Sequence, residues 1–223
     1  MRSKFDSEME KLHTMMIEMG ALCESGIASA VKALTEYSEE NAKRAIALEE
    51  EVNRRERDIE QLCYTLLLRQ QPVARDLRMV SASIKMITDM ERIGDQAADI
   101  AEIALMGHIK TSDSMDVIRK MAAACIGMVT DCIDAYVKHD TGLALKVIAD
   151  DDIVDSLFNK AKQELTLQLV TLTGQGECVV DLLMVAKYLE RIADHAVNIA
   201  DWVIFIETNE RYPKGAHRDN LSG

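Results

Sequence analysis

Residues 91–102 read ERIGDQAADIAE, and residues 190–201 read ERIADHAVNIAD. Laid over each other, Glu91 answers Glu190, Asp95 answers Asp194, Asp99 answers Asn198, and Glu102 answers Asp201. A match at this spacing marks two copies of one supersecondary unit in a single chain. An α-helix advances about 100° per residue, so Glu91, Asp95, Asp99 and Glu102 share roughly an 80° sector. Ile93, Ala97, Ile100 and Ala104 fall on the opposite side and read as core. In the second copy Glu190, Asp194, Asn198 and Asp201 form the polar stripe, with Ile192, Ala196, Ile199 and Val203 behind it.

Working outward from these blocks, helical periodicity starts near Lys4 and runs to Tyr37, with Leu12, Met15, Met16, Met19, Leu22, Cys23 and Ile27 recurring at three and four. The polar SEEN at Ser38–Asn41 has turn and cap chemistry. A second helix runs from there to Arg69, until QQP at 70–72 breaks it, because proline cannot continue a helix interior. A third spans Arg75–Met106. GHIKTSDS, from Gly107, divides the chain into repeats 1–108 and 109–223. The second half follows the same plan: a helix over Met115–Lys138, a turn at HDTG, a helix over Leu143–Leu172, a loop at TGQGE, and a sixth helix over Cys178–Glu207. The tail TNERYPKGAHRDNLSG reads as frayed. No segment alternates as a strand. The expected fold is all-α: two tandem, pseudo-symmetric three-helix bundles joined end to end, built of six long helices.

Composition agrees. Only two prolines occur in 223 residues, and aromatics make up 4%. The chain carries a formal charge of −12, which repels a phosphate backbone and argues against nucleic acid as a partner. The densest basic run, Arg54, Arg55 and Arg57, reads as a solvated helix face. Five cysteines at 23, 63, 125, 132 and 178, odd in number and without a Cys-x-x-Cys, fit buried thiols in a reducing compartment. The first twenty residues lack an unbroken apolar core, so no secretory leader is expected. No apolar run approaches the ~18 residues of a membrane span.

The stripes call for explanation. An exposed helix face ordinarily mixes signs, since like charges four apart are mildly unfavourable. Here the same unfavourable arrangement occurs twice, and a cation would relieve it. Neighbouring helices offer partners: Glu49 and Asn53 on the second helix, Asp151 and Asp155 on the fifth, in matching register with Ile46 and Ile148. Packed helices lie about 8–10 Å apart, so opposed carboxylates there can hold an oxygen-seeking ion. A carboxylate and amide set suits Mg²⁺, Mn²⁺, Ca²⁺ or Fe³⁺ better than copper or structural zinc. His195 points about 100° away from Asp194 and reads as a packing or surface residue rather than a ligand.

Other chemistry is thin. The GQG at 174–176 is a turn, not a phosphate-cradling loop. No nucleophile–base grouping stands out. Glu10 and His13 form a single E-x-x-H where a di-iron bundle needs a pair. Met9, Met15, Met16 and Met19 read as core, with a plastic partner surface the lesser alternative.

ERIGD and ERIAD, each opening a carboxylate stripe, with QQPVARDLR upstream of the first, resemble the PhoU family of phosphate-transport accessory and regulatory proteins. The resemblance spans about residues 4–207. It implies a cytoplasmic, often dimeric protein of two three-helix bundles. It implies E/D-x-x-x-D motifs able to bind iron, zinc, magnesium or manganese, here Glu91, Asp95 and Asp99, then Glu190, Asp194 and Asn198, with Glu49, Asn53, Asp151 and Asp155 on the second helices. It also implies a repressor of the phosphate-starvation response that links a phosphate ABC transporter to a sensor histidine kinase. Asn198 and Asn53 stand where the matching stripe has an acid, and TGQGECVVDL lacks the QQPVARDLR pattern, so the halves differ as partner surfaces. The expectation is therefore a non-enzymatic regulator whose stripes carry metal. A carboxylate-bridged metalloenzyme and a metal-free adaptor are the alternatives; the sequence offers no clear base for the former.

Overall fold

The computed structural model describes residues 2–109, 115–171 and 176–212. These residues form six helices: α1 (Arg2–Glu36), α2 (Glu39–Gln70), α3 (Ala74–Met106), α4 (Met115–Lys138), α5 (Thr141–Thr171) and α6 (Gly176–Thr208). Among the described residues there is no strand, and no helix is long and apolar enough to cross a membrane. Residues 110–114 of the GHIKTSDS segment, most of the TGQGE loop and the tail from Pro213 lie outside the described residues.

Local chemistry sets the helix ends, and it sets them twice. Tyr37 and His139 take up left-handed backbone, with φ of 53° and 57°. The next residue then caps a helix. Ser38 Oγ accepts from the Asn41 amide at 3.2 Å, and Asp140 Oδ1 accepts from the Leu143 amide at 3.0 Å, each satisfying one of the free donors at a helix start. Beyond α2, Gln71 is also left-handed, and Pro72 prevents the helix from resuming. Gly107 closes α3 at φ 72°, its N–H donating to the Ala104 carbonyl at 3.3 Å. A left-handed glycine is the usual way to stop a helix.

α1, α2 and α3 pack as one bundle, and α4, α5 and α6 as the other. They are not joined end to end. They lie side by side, α1 against α4 and α3 against α6, and share one continuous core. α3 and α6 run antiparallel across a local two-fold. Arg75 at the start of α3 meets Glu207 at the end of α6, at 2.7 Å. His108, just past the end of α3, meets Asp181 near the start of α6, at 3.0 Å. This leaves α1, α3, α4 and α6 as a central layer with α2 and α5 outside.

The core is aliphatic and sulfur-rich. Met15, Met16 and Met19 are buried, as is Met9 at its rim, so the methionine stripe of α1 is core. Cys23 Sγ donates to the Met90 carbonyl at 3.3 Å. Its counterpart Cys125 donates to the Leu189 carbonyl at 3.2 Å. Gly20 allows α1 and α4 to approach: an added Cβ would stand 2.9 Å from Ile133 Cγ1. All five cysteines are free, and only Cys178 is not fully buried.

Candidate functional site

The outer helices carry the acid on their inner seams. On α2 the buried residues are Ala42, Ala45, Val52, Ile59, Cys63 and Leu66. Continuing that three-four spacing places Glu49 and Glu56 on the same seam, facing α3. On α5 the seam runs Ala144, Val147, Val154, Ala161 and Leu165, and the same count places Asp151 and Phe158 on it. A seam position points a side chain at its neighbour whether or not the residue is apolar.

In the first half the seam acids lie near enough to Glu91 and Asp95 for their charges to act on one another. Burial raises the Glu91 carboxyl above its ordinary range, and the charges of Asp95, Glu56 and Glu49 push it further while Arg92 pulls it down. Burial likewise raises Glu49, helped by Asp95, Glu50 and Glu102, and Glu56, helped by Glu60 and Asp95. Such mutual elevation is the mark of carboxylates held within reach of one another. Asn53 donates its amide to Glu49 Oε1. That leaves Asn53 Oδ1 and Glu91 Oε2 buried without a hydrogen bond. Arg92 Nε lies 3.3 Å from the latter as an ion pair, and its other nitrogen bonds Asp95 at 2.9 Å.

In the second half Asp151 is the focus. Its carboxyl rises from the usual 3.8 to about 7, first through burial and then through Asp155, Asp194, Asp152 and Glu190. Asp194 is also raised, by burial and by Glu190, while Lys187 and His195 oppose the shift. Lys187 donates to Glu190 and sits 5.5 Å from the centre of the Phe158 ring.

The structure thus brings Glu49, Asn53, Glu91 and Asp95 together, and likewise Asp151, Asp155, Glu190 and Asp194. It adds Glu56, which the stripe pattern did not reveal and the seam spacing does. It turns three other residues elsewhere. Asp99 faces α6: burial raises its carboxyl, Glu102 and Asp95 add to the rise, and Arg191 of α6 opposes it, while Asp99 in turn acts on Tyr188. Asn198 faces α3 and donates to Asp89 Oδ1 at 3.1 Å. His195 Nδ1 lies 2.8 Å from the same oxygen, so His195 has an inter-bundle partner. The cause is helical drift: each four-residue step over-rotates by about 40°, so the third member of a stripe stands some 80° from the first. Asp201 is buried and held by Arg211 and Tyr212, which takes it out of the stripe.

Among the described residues, no three His, Cys, Asp or Glu side chains converge closely enough to enclose a metal ion. The donor set nonetheless fits a hard cation in its chemistry. The first ridge offers clustered carboxylates, and two buried oxygens lacking a hydrogen bond sit on its two helices.

The duplicated motif matches a family model described as the PhoU domain, once over residues 16–104 and again over 118–203. The chain belongs to the PhoU family. It is 35% identical to a "Phosphate-specific transport system accessory protein PhoU homolog" of Synechocystis, over 94% of each chain. It is 33% identical to one of Clostridium acetobutylicum, over 94% of this chain and 97% of that one. The crystal structure of PhoU from Pseudomonas aeruginosa superimposes with a TM-score of 0.88 at 31% identity, over 92% of this chain and all of that one. The phosphate transport system regulatory protein PhoU from Streptococcus pneumoniae gives 0.86 at 25% identity, over 94% of this chain and 99% of that one.

Proposed function

We propose that this chain is a non-enzymatic accessory protein of a phosphate transport system, and a negative regulator of phosphate uptake and of the phosphate-starvation response. It acts in the cytoplasm as a homodimer, linking the ATPase subunit of a phosphate ABC transporter to a sensor histidine kinase. What carries this reading is the full-length match, across both repeats, to relatives named as phosphate-specific transport system accessory proteins. The acidic ridges support a metal-loaded form. Glu49, Asn53, Glu56, Glu91 and Asp95 would hold the ion in the first half, and Asp151, Asp155, Glu190 and Asp194 in the second. Asp99 and Asn198 stand at the edge of each ridge on the α3–α6 seam. A bound Mg²⁺, Mn²⁺, iron or zinc ion would supply the positive charge that the clustered carboxylates lack. The residues themselves set the separation of outer and central helices, which makes the ridge a place where ion binding changes the stiffness of a partner-facing surface.

The deciding experiment is alkaline phosphatase activity in the host grown with ample phosphate, with and without this gene. High activity only in the deletion strain is expected. Equal activity in both strains overturns the regulatory reading. Elemental analysis of protein purified without chelator tests the metal separately.

A further inference from the structure

Asp201 is the one stripe acid that disappears from the surface. Its counterpart Glu102 is exposed, whereas Asp201 is 5% exposed. A strap formed by residues 209–212 covers it. The chain leaves α6 through Asn209 in left-handed backbone, φ 65°, and Thr208 Oγ1 accepts from the Glu210 amide at 3.1 Å, which closes the turn. Arg211 then comes back over the helix. Its Nε donates to Asp201 Oδ2 at 2.6 Å, and a terminal nitrogen pairs with the same oxygen. The Tyr212 amide donates to Asp201 Oδ1 at 2.6 Å. The guanidinium carbon lies 3.5 Å from the centre of the Trp202 ring, and Phe205 meets that ring edge-on at 5.7 Å.

These parts compose a recognition site for one side chain. A buried carboxylate takes the donor fork, and an indole face takes the flat cation. Lysine has neither the fork nor the plane. Only one partner is sequestered: the Arg211 side chain is 34% exposed and that of Asp201 is 7% exposed. Solvent and other molecules therefore reach the occupant without the helix opening. A buried carboxylate is costly to leave unpaired, so the site favours a cation wherever Arg211 is missing. The net charge of −12 favours a cationic competitor.

We propose that Asp201 and Trp202 form a guanidinium-binding site filled in cis by Arg211, and that an arginine presented on a separate peptide fills the same site when Arg211 is absent. This stands apart from the acidic ridges and from the regulatory reading.

Trp202 is the sole tryptophan, so its emission reports the site directly. In Arg211→Ala, emission should move to the red and acrylamide quenching should rise, with far-UV circular dichroism unchanged. The peptide NERYPKG, the sequence of residues 209–215, should then move the variant's emission back towards wild type, while NEAYPKG should not. Wild type should ignore the peptide below about millimolar concentration, because a short tether holds Arg211 at an effective concentration of that order. Asp201→Asn in the Arg211→Ala background should abolish the peptide response. If Arg211→Ala loses helix, Arg211→Lys serves instead: it keeps the charge and should still shift the emission to the red. Wild-type emission in either variant overturns the seated strap. A red-shifted variant that no arginine peptide restores overturns the site.

Discussion

The two acidic ridges occupy the same place in two copies of one fold, yet they manage their charge differently. In the first half the seam of α2 carries two acids, Glu49 and Glu56, and the opposing Glu91 and Asp95 are answered from the side by Arg92. In the second half Phe158 replaces the second seam acid, and Lys187 comes in from a turn before Glu190. The equivalent of Lys187 is Thr88, and the equivalent of Phe158 is Glu56. Arg191, the equivalent of Arg92, faces Asp99 instead. Duplication preserved the caps of α2 and α5, the thiol contacts and the lengths of α2 with α5 and of α3 with α6, while the electrostatic solution diverged. One half buries two oxygens that lack a hydrogen bond, and in the other a single aspartate, Asp151, carries the largest rise.

The largest effect is expected from making the halves alike. Phe158→Glu removes a packed ring and adds a fifth acid to the Asp151 cluster. Urea unfolding of chelator-treated protein should show a loss of about 2–3 kcal/mol. The converse, Glu56→Phe, should raise stability without metal and weaken metal retention. A neutral Phe158→Glu would mean that the divergence has no energetic content.

Next comes Asp151→Asn. The folded carboxyl titrates near 7 and the unfolded one near 3.8. Between those values the folded state holds a proton that the unfolded chain has released, so stability falls as pH rises through the window and stays reduced above it. Asparagine removes that penalty, and the partly solvated site limits the gain to about 1–2 kcal/mol above pH 7. Well below pH 3.8, where both states are protonated, the gain should vanish. Glu49→Gln should give the same sign and a smaller size. A pH-independent gain would assign the effect to packing instead.

A smaller effect tests how closely the outer helices approach. An added Cβ at Gly94 would stand 3.2 Å from Val52 Cγ1, whereas the second half already has Ala193 at the matching place. Gly94→Ala should cost about 0.5 kcal/mol net, crowding outweighing the helix-propensity gain of up to ~1 kcal/mol. A stabilised variant would show that α2 can move away from α3. The smallest effect concerns what the halves share. Cys23 and Cys125 are both buried, and burial pushes the Cys23 thiol up to about 12. Iodoacetamide at pH 8 should modify Cys178 alone in the native protein, read by mass spectrometry. Modification of Cys23 but not Cys125 would reveal a difference in core dynamics.

Most of the fold was legible because each helix announces itself locally. Periodicity, Ser38, Pro72 and Gly107 are short-range signals, and the observed ends fall within two residues of those expected. The lateral assembly was less so. α3 and α6 bury residues over more than half of their circumference, many of them small, including Ser83, Gly94, Ala97, Ala186, Ala193 and Ala200. That breadth signals a central helix rather than one face of an isolated bundle. The ridges were legible in Glu91, Asp95, Glu190 and Asp194. Glu56 is invisible to spacings of four from Glu49 and Asn53; its signal is the three-four seam of α2. Asp99 and Asn198 were grouped by a sector wide enough to span two neighbours. The burial of Asp201 could not be read at all, since its partners lie beyond the helix in a tail whose composition looks frayed.

The layering has a consequence for how the molecule breathes. Among the described residues α2 packs only on α1 and α3, and α5 only on α4 and α6, whereas each central helix is gripped from three directions. Amide exchange should therefore divide the chain into a slow interior and two faster rims. Either rim can lift without melting the middle, so one polypeptide offers four combinations of closed and lifted edges. A protein that must answer more than one partner gains by having edges that open one at a time.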